Sequence, residues 1–162
     1  MSPAVANRES ALSGDADQDV ARLVGEFTDL RRGQPSGAAR TYRQELIFAE
    51  LARLTPRLPD FDVTASLAST EGGVRLAAYS RLYALPEEGF LPALVDAATA
   101  ETLHFNQYWA LQAISAVIDA TGPGNVRLET VRRLRTYLPQ LPHDSDRSAV
   151  LRAILGRLET RT

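Results

Sequence analysis

The chain contains no cysteine and no lysine, and it has only two histidines, one methionine and one tryptophan. Without cysteine there is no disulfide, no thiolate nucleophile and no thiolate metal site. Without lysine the glycine-rich phosphate cradle loses its cation, and Gly122-Pro123-Gly124 supplies neither Lys nor Ser/Thr. A demand for guanidinium would not remove every surface lysine, so the 18 arginines read as the codon bias of a GC-rich genome. Each of them can still fork onto a carboxylate or stack on a ring. His104 and His143 each sit beside a turn, with no i, i+4 partner and no glycine-framed serine nearby, so neither a zinc site nor a nucleophile–base pair is expected. Ser115, beside Ala116 in mid-helix, has a packing environment. No apolar run approaches a membrane span, and the first ten residues lack the basic start and apolar stretch of a signal peptide, so the expected location is the cytoplasm. The expectation is a non-enzyme with no cofactor and no metal.

What is present suits one domain: 162 residues, 44% hydrophobic and 23% charged. The net charge of −2 gives no reason to expect wholesale binding of a polyanion. The charge is unevenly spread, with 5 Arg against 10 acids in residues 41–120 and 8 Arg against 4 acids in residues 121–162. That asymmetry is what ordinary solvated helix faces produce, and it also suffices to steer a partner or pair two copies.

Proline and glycine cut the chain into apolar segments of helical period. Residues 1–17 are small and polar, and are expected to be a disordered lead-in. An N-terminal helical hairpin is expected over 18–61. Its first helix carries Val20, Leu23, Val24, Phe27 and Leu30 and stops at the turn of residues 33–37. Its second opens on Thr41-Tyr42-Arg43-Gln44, which fits a capping box, and continues through Ile47, Leu51, Leu54 and Leu58. A short helix over 63–68 is expected to break at Gly72-Gly73. Further helices are expected over 74–85, 90–100, 105–120, 126–138 and 146–158. Glu87-Glu88 lie in a turn where they would cap the next helix. No segment alternates as a strand does. The fold class is therefore all-α, with seven or eight helices stacked as antiparallel pairs.

Three of these segments align with one another: those beginning Val74-Arg75-Leu76-Ala77-Ala78, Asn106-Gln107-Tyr108-Trp109-Ala110 and Asp146-Arg147-Ser148-Ala149-Val150. Each follows another helix, so the repeating unit is a helix pair. The Val-Arg then Ala-Ala pattern resembles the second helix of HEAT-type repeats, and Phe90-Leu91-Pro92-Ala93-Leu94-Val95 resembles the first. The resemblance implies that residues 62–162 form HEAT-like helix pairs continuous with 18–61, as a short solenoid or a compact helical layer offering a surface to a partner. Gln107 stands where that family tends to have Arg. The stretches 30–41 and 73–79 are similar to helical regions that accompany TIR, caspase-like or trypsin-like effector domains in bacterial defence and signalling proteins.

On these readings the chain is a protein-interaction module, adaptor or regulatory, whose partner is another protein: an effector enzyme or a second copy. The rival is a HEAT-like nucleic-acid binder that uses the basic C-terminal third. The candidate contacts are Arg81 and Tyr83, which flank the core position Leu82; Tyr108 and Trp109, in the aromatic run Phe105-Asn106-Gln107-Tyr108-Trp109; and Arg132, Arg133 and Arg135. Successive helical positions point about 100° apart, so Phe105, Tyr108 and Trp109 are covered together only if their helix is central; otherwise one is an exposed anchor. Arg75 and Arg147, at equivalent repeat positions, are expected to make salt bridges between neighbouring helices.

Overall fold

The computed structural model describes residues 3–160, with side chains from residue 15 onward. The described residues form eight α-helices and no strand: α1 (Pro3–Gly33), α2 (Ala38–Leu54), α3 (Val63–Leu67), α4 (Gly72–Ala84), α5 (Leu91–Ala100), α6 (His104–Thr121), α7 (Leu128–Tyr137) and α8 (Asp146–Glu159). α3 packs on α4, α5 on α6 and α7 on α8. Along the stack α4 packs on α6 and α6 on α8, while α3, α5 and α7 form a second row. The α1–α2 hairpin closes the stack against α4. The three aligned segments are thus α4, α6 and α8, neighbours in one row.

Composition explains which helices are central. α6 buries Ala110, Leu111, Ala113, Ile114, Val117 and Ile118, and α4 buries Leu76, Ala77, Ala78, Tyr79 and Leu82. The alanines let backbones approach while the larger residues fill the space between, each contributing about 1.5–3 kcal/mol on burial. α7 is one-sided, burying Val131, Leu134 and Tyr137 and turning its arginines outward. No described helix is long and apolar enough to cross a membrane.

Three local expectations are corrected. Helix α1 takes in residues 3–17 of the expected lead-in, and Ala16 is already in the core at 4% exposure. Helix α2 starts at Ala38 rather than at Thr41, so the capping box does not form. Gly37 adopts φ 155°, ψ −179°, a backbone open to glycine, and the helix-favouring Ala38 and Ala39 follow at once. Finally, Gly72 and Gly73 open α4 instead of interrupting it. At Gly73 a Cβ would lie 2.9 Å from the Val24 carbonyl oxygen and 3.0 Å from its Cγ1, so the absence of a side chain lets α1 lie directly on α4.

Gly73→Ala is therefore expected to destabilise the chain by about 1–3 kcal/mol through overpacking. Gly156→Ala, in α8 with nothing within 4 Å of the added methyl, is expected to stabilise it by about 0.5–1 kcal/mol. The midpoints of urea unfolding compare the two, and equal shifts would refute the close approach.

Candidate functional site

Helix α6 is held in place by a carboxylate. Glu101, between α5 and α6, is fully buried at its side chain. It accepts from Arg75 Nε and Nη2, both at 2.8 Å, in a two-pronged ion pair. The Tyr79 hydroxyl adds a third bond at 2.8 Å, and the Asn106 amide a fourth at 3.2 Å. The Thr102 and Leu103 N–H groups complete the set at 3.0 and 3.1 Å. Burial pushes the Glu101 carboxyl upward, but the Arg75 pair, the Leu103 N–H and the Tyr79 hydroxyl outweigh it and hold the group below the ordinary carboxylate range. Burial and the adjoining negative charge push the Tyr79 phenol well above its ordinary value, so it stays a donor.

The network continues along the row at equivalent repeat positions. The Gln107 amide donates to the Glu101 carbonyl at 2.8 Å, and Arg147 Nη1 donates to Gln107 Oε1 at 2.6 Å. The salt bridge expected of Arg75 forms, onto Glu101 in the α5–α6 loop. The one expected of Arg147 between helices does not: Arg147 reaches α6 through a neutral amide, and its ion pair, at 3.6 Å, is with the adjacent Asp146. Gln107 both donates and accepts, which Arg, having only donors, cannot do.

Beside this frame four aromatic rings meet. Trp109 stacks on Phe48 of α2 with centroids 3.8 Å apart, and Tyr83 of α4 stands edge-on to both at 5.7 and 5.5 Å. Tyr108 is edge-on to Trp109 at 5.1 Å, and its hydroxyl accepts from Gln112 at 3.1 Å. Phe105, Tyr108 and Trp109 are all half-buried, so α6 is central and none of the three stands clear of the protein. Tyr83 is the most open of the candidates on this side, at 42% exposure. Arg81 is not free as expected: its side chain is 14% exposed and pairs with Glu87 at 2.9 Å. That contact also takes Glu87 away from the capping role, and no side chain caps α5.

A second surface lies between α1 and α2. A groove of about 610 Å³ runs between Leu30 and Gly33 on α1 and Leu46 and Ile47 on α2, with Glu26 and Asp29 on one wall and Arg43 on the other. Leu46 is 51% exposed, and Tyr42, one turn earlier, is 62% exposed. The sequence reading passed over both. The signal was present: Leu46 stands beside Ile47 but off the stripe of Ile47, Leu51 and Leu54.

The basic C-terminal third is not brought to this side. Arg133 pairs with Asp96 and Arg135 with Glu159, while Arg157 reaches Asp119 and Ser115 at 2.7 Å. Arg132 is exposed. Among the described residues no group of three or more His, Asp or Glu side chains could hold a metal ion. Comparison with family models, curated proteins and solved structures gives no match.

Glu101→Gln keeps the shape and removes the charge from Arg75, so a loss of about 3–5 kcal/mol is expected in urea unfolding. Because the folded Glu101 titrates below its unfolded value of about 4.3, its contribution is present above that pH and lost as pH falls through the lower folded value. The variant should therefore lose less stability than the wild type on acidification below about pH 4; parallel acid profiles would contradict the assignment.

Proposed function

We propose that this chain is a non-catalytic protein-interaction module, an adaptor or regulatory stack of HEAT-like helix pairs. Its working surface is the α1–α2 groove. The supporting observation is that Leu46 lines an apolar groove of about 610 Å³ while 51% exposed, and that Tyr42, one turn earlier on α2, is 62% exposed. Leaving two large apolar side chains in water forgoes burial energy, and an aromatic–aliphatic pair at a groove is what a partner helix uses as an anchor. Asp29 on the α1 wall, which no ion pair of the described residues engages, suits an amphipathic helix carrying a basic residue beside its apolar face, while Glu26 next to it pairs with Arg22 at 2.8 Å. Similarity of residues 30–41 and 73–79 to helical regions beside effector enzymes extends the reading to a partner of that kind. The nucleic-acid reading has less support, because Arg133, Arg135 and Arg157 are engaged by carboxylates that would compete with a phosphate backbone.

The test uses the full chain as bait, with Leu46→Glu and Arg132→Glu as matched variants whose helicity is checked by circular dichroism. The partner retained by the wild type should also be retained by Arg132→Glu, and its affinity for Leu46→Glu should fall at least about tenfold. Equal affinity for Leu46→Glu would sink the proposal. Sedimentation of the chain alone reads whether the occupant is a second copy.

A further inference from the structure

On the opposite side of α2 lies a cavity of about 690 Å³, walled by the α1–α2 turn, the amino end of α6 and the start of α8. Its size is that of a small-molecule site. Arg31 and Arg40 both line it, and no ion pair of the described residues engages either one. Arg31 lies over the Phe27 ring at 6.0 Å, and Arg40 Nη1 donates to the Gln34 carbonyl at 3.2 Å. Burial and then the neighbouring Arg40 charge lower the Arg31 pKa, so the two guanidiniums are close enough to repel. Glu101 acts on Arg31 in the opposite sense, and with Arg147 the lining holds three guanidiniums against the carboxylates of Glu45 and Asp146, a net positive charge that favours an anion.

The other walls add donors. Helix α6, 18 residues long, has no side-chain cap, and its first regular bond runs from Gln107 N–H to the Leu103 carbonyl at 2.8 Å. The N–H groups of its first turn therefore point out of the helix beside His104, at the positive end of its dipole. Gln44 also lines the cavity at 2% exposure, and its amide nitrogen, closed off from solvent, has no acceptor. A buried donor left unmet is uncommon in a folded protein. Two carboxylates share the lining: Glu45, and Asp146, which accepts from the Arg147 N–H at 2.7 Å and stands 3.6 Å from its guanidinium. Tyr108 and Trp109 supply an aromatic wall.

We infer that this cavity binds an organic phosphate of mononucleotide size, its phosphate between Arg31, Arg40 and the amino end of α6 and its planar body toward Tyr108 and Trp109. Donors converging from three directions suit a tetrahedral anion with several oxygens better than a planar carboxylate. This site is separate from the α1–α2 groove and does not depend on that surface having a partner.

Trp109 is the chain's single tryptophan, so its fluorescence reports the cavity directly. The full chain is titrated with adenosine monophosphate, with inorganic phosphate and with adenosine in separate arms. Adenosine monophosphate should give a saturable change at or below about 1 mM, and phosphate and adenosine should each bind at least about tenfold more weakly. Arg31→Gln and Arg40→Gln, singly and together, should each weaken the nucleotide by about tenfold or more, with Arg132→Gln unchanged. The inference is overturned by no saturable response up to about 10 mM, or by adenosine or phosphate binding as tightly as the nucleotide. Unchanged affinity in the single Arg40→Gln variant, where Arg31 is left intact to support the fold, overturns it equally.

Discussion

A carboxylate withdrawn from water loses solvation worth several kcal/mol and stays charged only where donors replace the whole hydration shell. Glu101 meets that condition with six donors, drawn from α4, from the start of α6 and from the loop between α5 and α6. Because the donors come from separate elements, none of them can move without leaving the charge uncovered. The interaction therefore fixes where α6 begins relative to α4. Asn106 ties the same point to the Gly72 carbonyl at 2.9 Å, so the opening of α4 is fixed too.

Much else follows from where α6 starts. Its first turn carries Phe105, Tyr108 and Trp109, and a shift of one residue would rotate them by about 100°. The stacking of Trp109 on Phe48 joins the α1–α2 hairpin to the repeat row, so the buried charge and the aromatic contact act on one rigid frame. Gln107 passes the same register to α8 through Arg147. A glutamine suits this place because it accepts from Arg147 on α8 while donating to the Glu101 carbonyl in the α5–α6 loop.

The helices were legible in the sequence because each carries its apolar residues at intervals of three and four, as Ile47, Leu51 and Leu54 do in α2 and Val131 and Leu134 in α7. The three segments that align in sequence are helices that pack side by side, α4 on α6 and α6 on α8. Helix starts were less legible. Thr41 and Gln44 have the chemistry of a cap, yet Ala38 and Ala39 extend the helix past them at little conformational cost. Glu101 could not be read locally at all. In sequence it is an acid in a polar loop, and its burial depends on Arg75 and Tyr79, 26 and 22 residues away. The aromatic cluster is of the same kind, since its four rings come from three helices. Leu46 was legible in principle, as a leucine with no place on the buried stripe.

The order of the stack has a kinetic meaning. Helices pack either on a neighbour in the chain, as in α1–α2, α3–α4, α5–α6 and α7–α8, or on a helix one or two elements further on, as α4 does on α6 and α6 on α8. Contacts of such short sequence separation close small loops, so little chain entropy is lost before packing energy is gained. Folding of this kind is fast and can spread outward from whichever neighbouring pair forms first. The central α4–α6 contact, which holds both the densest apolar packing and the buried charge, is the natural nucleus, with the hairpin on one side and the α7–α8 pair on the other condensing onto it.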